Sequence, residues 1–249
     1  MADWTGYLLL FCIGCVAGTV NVIAGGGSFL TLPLLIFLGL SPTVANATNR
    51  VGIVLQNVGA IWTFRSKGLI EVKSLLWGAL PATVGAVGGT WLALRVEEDA
   101  FKQILAFLMV VVTLWTLWDP LKSRRPGVTR ERPFYLTGMM VVGFFFMGIY
   151  GGFIQAGVGF FILSVTTLGG LDLVRGNAVK ALTVLCFSTI ALSIFAWQGK
   201  VDWGTGLVLA AGMIVGGQIG VRLTVRKGHA WVRGIVTGLI ILFALRLLL

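Results

Sequence analysis

The sequence predicts an all-α integral membrane protein that is built from two homologous repeats. Three observations predict it: an apolar composition, an internal duplication, and a short apolar run after a glycine-rich break in each half. The 249 residues are 57% hydrophobic and 11% charged, and their mean hydropathy is +0.96. Because a soluble domain carries roughly 25% charged residues, this chain lacks the polar surface of one.

The duplication appears when the chain is shifted by 131 residues. The coinciding pairs are Asn46-Ala47 with Asn177-Ala178, Gly68 with Gly199, Gly85 with Gly216, Gly89 with Gly220 and, one residue out of phase, Gly25-Gly26-Gly27 with Gly157-Val158-Gly159. We therefore expect repeat one over 1–118, a basic cytoplasmic linker over 119–133, and repeat two over 134–249. A duplicated transporter half with its substrate between the copies is one interpretation, and a duplicated helical scaffold is the other.

The helices follow from the apolar runs, eight of which approach the roughly 20 residues that a spanning helix needs. They lie at about 5–23, 45–64, 75–94, 103–118, 134–154, 176–197, 203–223 and 231–249. Two further runs, 29–40 and 160–169, are shorter, and each follows a glycine cluster and precedes the repeated Asn-Ala. Each repeat should thus contain four long transmembrane helices and one short helix, which is either a half helix or re-entrant.

Loop charge distinguishes two topologies. If the short runs cross the membrane, each repeat has five crossings and the copies are inverted; if they are re-entrant, the copies are parallel. We place the basic linker in the cytoplasm and count the basic residues on each side of the membrane, without Arg50 and Lys180. Inverted copies then place 13 basic residues inside and four outside. Parallel copies place ten inside and seven outside. The positive-inside rule therefore favours inverted repeats with both termini outside.

The charged residues also exclude functional classes. All nine acidic residues lie in loops or at segment ends, so a membrane carboxylate for a proton relay or a cation is missing. The single histidine, His229, lies in a loop, and neither a P-loop nor a Ser-His dyad points to an enzyme. The net charge of +10 comes from short loops, which argues against a nucleic-acid partner. We expect no enzymatic activity, metal or cofactor.

The two glycine breaks predict an anion-binding helix start. Each glycine costs about 1 kcal/mol in a helix relative to alanine, and Ser28 stands where a new helix would begin with a favoured capping residue. Amides at a helix N-terminus attract anions. Close helix packing through small residues is the alternative. The candidate residues are Gly25, Gly26, Gly27 and Ser28 in the first break and Gln155, Gly157 and Gly159 in the second.

Two basic residues, Arg50 and Lys180, lie within the long segments that follow the short runs. A basic residue inside the membrane costs roughly 2.5–3.5 kcal/mol on insertion scales and marks a functional site by default. Asn46, Asn49 and Asn177 cluster with them. Beside the glycine breaks, these residues would form an anion cage. In the alternative interpretation, both basic side chains extend to the membrane interface.

A third polar group consists of Gln56 and Asn57 in repeat one and Ser188 in repeat two. Gln56 follows Asn49 by seven residues, so the two share a helix face. These side chains either line a substrate pathway or form hydrogen bonds between helices.

These motifs resemble those of the TauE/SafE family of sulfite and organosulfonate exporters. The first copy contains AGGGSFLTLPLLIFLGLSPTVANATN and R-x-K-G-x-I-E at 65–71, and the second contains AGVGFFILSVTTLGG and GNAVKALT. The resemblance implies a transporter of sulfite or C2 sulfonates in a bacterial or archaeal inner membrane. It assigns substrate binding to both glycine breaks and to Asn46, Asn49, Arg50, Asn177 and Lys180. The expected partners are a small anionic substrate and the lipid bilayer. Four points stay open: whether the chain forms a homodimer, which anion it transports, the direction of transport and its energy coupling.

Overall fold

The computed structural model describes residues 4–70, 75–118, 138–168, 171 and 173–227, and within these ranges the chain is helical and contains no strand. The helices are α1 (Trp4–Ala24), α2 (Ser28–Phe37), α3 (Pro42–Ser66), α4 (Leu80–Arg95), α5 (Glu98–Trp118), α6 (Gly138–Phe153), α7 (Val158–Leu168), α8 (Leu173–Trp197) and α9 (Trp203–Lys227), and a π-helical turn, Leu75–Ala79, precedes α4. The all-α prediction is confirmed over these ranges. The predicted linker at 119–133 and the last apolar run at 231–249 lie outside the described residues.

Three of the described helices combine the length and the apolarity of a membrane span, namely Trp4–Ile23, Val174–Trp197 and Trp203–Arg226. Helix α3 is equally long, with 25 residues, but it carries buried polar side chains. Helices α2 and α7 have only 10 and 11 residues, so each rises about 15 Å against a hydrocarbon core of about 30 Å. The chain is therefore a multi-pass membrane protein, and its described part contains two short helices and a polar interior.

The short helices start after breaks whose backbone favours glycine. Gly25 has a φ of 88° and Gly157 a φ of 74°, a left-handed conformation that ends the preceding helix. Pro42 then opens α3 at its first turn, where the missing N–H costs no helical hydrogen bond. Each break thus lies between a long helix and a short one, as the sequence predicts.

Glycines bring two pairs of helices into close backbone contact. A Cβ at any of four glycines would overlap a carbonyl group of the neighbouring helix. The overlapping pairs are Gly85 with Phe145, Gly89 with Ile149, Gly216 with Cys15, and Gly220 with Thr19. From Gly85 to Gly89 the contacted carbonyl moves from Phe145 to Ile149, so both helices advance by four residues. The second helix pair shows the same advance. Helix α4 therefore runs parallel to α6, and α9 runs parallel to α1.

Helices α3 and α8 run antiparallel through the centre of the molecule. Near the start of α3, Arg50 lies over the ring of Phe195 near the end of α8. Towards the end of α3, Ala60 packs in one apolar cluster with Ala178 and Ala181, which lie near the start of α8. These two helices carry the buried basic residues and most of the buried amides of the candidate site.

Candidate functional site

The two glycine breaks meet in the interior. A Cβ at Gly25 would overlap the backbone of Gly159, and a Cβ at Gly159 would overlap the backbone of Gly25. Gly27 is the N-cap of α2, and no side chain caps this helix start. The expectation that Ser28 caps α2 is wrong, because Gly27 is the N-cap and Ser28 is already the first helical residue. In the first turn of α2, the amides of Phe29, Leu30 and Thr31 donate to the carbonyls of Gly26 and Gly27 at 3.1, 3.0 and 3.4 Å.

Asn49 holds the first turn of α2 against α3. Its Nδ2 donates to Ser28 Oγ at 3.0 Å, and its Oδ1 accepts a hydrogen bond from Thr31 Oγ1 at 2.6 Å. All three side chains are buried. The Ser28 hydroxyl is thus engaged with Asn49, so the side chain holds the break against α3 and does not cap α2.

Arg50 is completely buried and binds the second break. Its Nη1 donates to Gln155 Oε1 at 2.9 Å, and its Nη2 donates to the carbonyls of Gly151 and Gly152 at 2.9 and 2.7 Å. The guanidinium carbon lies 5.2 Å from the centre of the Phe195 ring. Its Nε is buried without a partner. Because the two carbonyls belong to the last turn of α6, Arg50 sits at the negative end of that helix.

Gln155 connects Arg50 with the rest of the second break. Its Oε1 also accepts a hydrogen bond from Ser188 Oγ at 3.0 Å, so helices α3 and α8 share this amide. Asn46 donates from Nδ2 to the Phe153 carbonyl at 2.9 Å. Its Oδ1 lies 3.5 Å from the main-chain nitrogen of Gln155. The break after α6 is therefore held by side chains of both central helices.

Lys180 occupies the corresponding place at the first break and is 3% exposed. Its Nζ donates to the carbonyls of Asn21 and Val22 at 3.1 and 2.7 Å and to Asn177 Oδ1 at 2.6 Å. The two carbonyls lie in the last turn of α1. Arg50 from the first half of the chain thus binds the end of α6, and Lys180 from the second half binds the end of α1.

The charge of these two cations is only partly balanced. Among the described residues, neither forms an ion pair with a carboxylate, and their partners are carbonyls, amides and an aromatic ring. A helix C-terminus supplies about half a negative charge, so a positive charge remains at each position. Within the same ranges, no three His, Cys, Asp or Glu side chains form a group that could hold a metal ion. The arrangement is suited to a small anion.

Gln56 and Asn57 differ in their surroundings although they are adjacent on α3. Gln56 Oε1 lies 3.5 Å from Asn21 Nδ2, and Gln56 Nε2 is buried without a partner. Asn57 instead donates from Nδ2 to the Ile53 carbonyl of its own helix at 2.8 Å. Of the two side-chain amides, only that of Gln56 has a nitrogen with no hydrogen-bond partner, and Gln56 adjoins Asn21, whose carbonyl binds Lys180.

The structure divides the predicted site residues into two clusters. Asn46, Arg50, Gln155 and Ser188 meet after α6, whereas Asn177 and Lys180 meet at the end of α1, where Asn21 connects them to Gln56. The glycines make backbone contacts: Gly26 adjoins the Phe160 ring and Gly27 packs against Ala17 and Asn21 of α1.

Sequence reasoning missed five residues, namely Asn21, Val22, Gly151, Gly152 and Phe195. Four of them act through main-chain carbonyls, which any residue would supply, so no side-chain type indicates them. Asn21 carries one usable signal, because it is an amide inside an apolar run shortly before a glycine break.

Long apolar helices around a buried polar centre define a multi-pass membrane transporter, and comparisons with known proteins agree. The family model described as Sulfite exporter TauE/SafE matches residues 10–247. The chain therefore belongs to this family. A probable membrane transporter protein ORF9 from Sinorhizobium is 30% identical over all of this chain and 95% of its own length. The probable membrane transporter protein YfcA from Escherichia coli K12 is 30% identical over 92% of this chain and 84% of its own. A probable membrane transporter protein from Haemophilus influenzae is 28% identical over 92% of this chain and 89% of its own length. No solved structure matches the chain.

Proposed function

We propose that this transporter exports small sulfur oxyanions, such as sulfite or C2 sulfonates, across the inner membrane of a bacterium or archaeon. One observation carries the proposal: Arg50 and Lys180 are buried cations that have no carboxylate partner among the described residues. They adjoin the starts of the short helices α2 and α7, where the positive end of a helix dipole favours an anion. The family description supports a sulfur oxyanion as the substrate.

We further propose that the two repeats are inverted about this centre. Helix α3, Pro42–Ser66, and helix α8, Leu173–Trp197, both have 25 residues, and their bounds differ by the same 131 residues as the duplicated motifs. Equivalent helices of parallel copies would run in the same direction, whereas the contact of Arg50 with Phe195 supports antiparallel packing. Inverted repeats with a site at the midplane are typical of secondary transporters.

Cysteine labelling in intact cells tests the inversion. Single cysteines are placed in 95–102 and in 222–233 and treated with a membrane-impermeant maleimide. We expect the first segment to be labelled from the outside and the second only after the membrane is permeabilised. Labelling of both from the same side would contradict inverted repeats.

Sulfite flux in proteoliposomes tests the transport function. Arg50→Met and Lys180→Met should each lower the flux by at least tenfold, because each removes a charged donor from the site. Arg65→Met is the control, since Arg65 lies on the same helix as Arg50 but is exposed in its last turn. Wild-type flux of sulfoacetate, taurine, sulfate and acetate, measured in parallel, identifies the anion. If no anion moves and none binds, the chain is a scaffold and the proposal is wrong.

A further inference from the structure

We propose that the site consists of two separate anion-binding stations rather than one cage, an inference that rests on the proposed function. The Arg50 station consists of Arg50, Gln155 and Ser188. The Lys180 station consists of Lys180, Asn177 and Gln56. Each station takes one small oxyanion, and the substrate passes from one to the other.

The first argument is that the two cations share no hydrogen-bond partner. Arg50 binds the end of α6 and Gln155, and Lys180 binds the end of α1 and Asn177. Arg50 is the ninth of the 25 residues of α3, Lys180 is the eighth of the 25 residues of α8, and these helices are antiparallel. Arg50 and Lys180 therefore lie on opposite sides of the midpoint of the central helix pair.

The second argument is the composition of each station. In both, a cation from the first part of one central helix combines with a polar side chain from the later part of the other. Arg50 of α3 combines with Ser188 of α8 through Gln155, and Lys180 of α8 combines with Gln56 of α3 through Asn21. The polar group comprising Gln56 and Ser188 is thereby divided between the stations, one residue to each.

The third argument is that each station keeps one buried N–H donor without a partner. These donors are Arg50 Nε and Gln56 Nε2, and both side chains are at most 1% exposed. A buried donor without an acceptor is unfavourable, so a ligand with acceptor oxygens would satisfy it. An oxyanion such as sulfite offers several oxygens and can bind the remaining donor and the cation together.

The contact between the breaks gives this division a structural basis. The backbones of Gly25 and Gly159 touch, and the aliphatic part of Lys180 lies against Gly159. Gln155, which binds Arg50, precedes this contact along the second break. The contact therefore adjoins the Lys180 side chain and lies four residues from Gln155 of the Arg50 station.

Calorimetric titration of the purified full-length chain with sulfite tests the stations. We expect two sulfite ions per wild-type chain and one in each of the variants Arg50→Met and Lys180→Met. The decisive change is Gln56→Leu, with Asn57→Leu as the control because Asn57 is bound to its own helix. In the Arg50→Met background, Gln56→Leu should weaken the remaining site roughly tenfold. In the Lys180→Met background, it should leave the remaining site unchanged.

Two outcomes overturn the stations, and they differ in what else they overturn. One sulfite per wild-type chain that is lost in Arg50→Met, lost in Lys180→Met and weakened by Gln56→Leu alone would establish a single cage while the proposed function stands. No sulfite binding to the wild-type chain would overturn the proposed function together with the stations. If a basic variant does not give a monodisperse protein, Gln56→Leu and Ser188→Ala in the wild-type background replace it, and each should weaken one of the two binding events.

Discussion

Gly25 and Gly159 lie so close to each other that neither position has room for a Cβ. They belong to different halves of the chain: Gly25 lies in the break between α1 and α2, and Gly159 is the second residue of α7. The contact therefore joins the two breaks directly through the backbone. The two buried cations bind the helix ends beside these breaks, Arg50 the end of α6 and Lys180 the end of α1.

Gly159→Ala should separate the breaks and destabilise the fold. The added methyl group would meet the main chain of Gly25, which cannot move as a side chain could, so we expect a loss of about 1–3 kcal/mol and of sulfite binding. Gly143→Ala is the control, because a Cβ at that helical position has no atom within 4 Å. Thermal unfolding in detergent measures both, and equal melting temperatures would contradict the contact.

Gly88 and Gly89 form a matched pair that tests the packing of α4 against α6. A Cβ at Gly89 would overlap the Ile149 carbonyl, whereas a Cβ at Gly88 would meet nothing within 4 Å. Gly89→Ala should therefore lower the stability by about 1–3 kcal/mol, and Gly88→Ala should leave it unchanged or raise it by up to about 1 kcal/mol. The reverse order of melting temperatures would show that α4 faces another neighbour.

Arg50→Lys tests whether the shape of the guanidinium matters in addition to its charge. Two nitrogens of Arg50 reach Gln155 on one side and the carbonyls of Gly151 and Gly152 on the other. A single ammonium group cannot hold both geometries, so we expect a folded protein with at least tenfold lower sulfite flux. Wild-type flux in Arg50→Lys would mean that charge alone is sufficient at this position.

The sequence predicts the helices well because apolar runs and glycine breaks are local signals. The short helices, the long α3 and the position of Arg50 within α3 all follow from the amino-acid sequence. The division of the polar residues into two clusters does not follow. It depends on Arg50 and Lys180 reaching the carbonyls of Gly152 and Val22, which lie more than 100 residues away and carry no side-chain signal. A polar residue in an apolar run predicts burial, but only the packing of α3 against α8 decides its partners.

Glu98 should stabilise the start of α3 from the neighbouring helix α5. Its two carboxylate oxygens accept hydrogen bonds from Ser41 Oγ and from the Thr43 amide, both at 3.0 Å. Ser41, the N-cap of α3, makes no capping hydrogen bond of its own. Glu98→Ala should therefore cost about 1–2 kcal/mol in thermal unfolding. Asp99→Asn, a change at the exposed neighbouring residue, should lower the free energy of unfolding much less. An equal loss in both variants would show that Glu98 contributes only its general charge.

Asp202 provides the last prediction, which concerns energy coupling. Its carboxylate accepts hydrogen bonds from the amide and the hydroxyl of Thr205, both at 3.1 Å, so it caps the start of α9. Asp202→Asn should therefore lower the stability slightly and leave the coupling of transport unchanged.

We expect export of a singly charged anion to be driven by the membrane potential, because moving one charge across 100 mV corresponds to about 2.3 kcal/mol. A substrate that carries its own proton is the other coupling that the sequence allows. Sulfite flux into liposomes is measured under an imposed potential at equal pH on both sides, for the wild type and for Asp202→Asn. The same voltage dependence in both proteins supports the cap. Flux that ignores the potential in the wild type and is lost in Asp202→Asn would instead make this carboxylate part of the coupling mechanism.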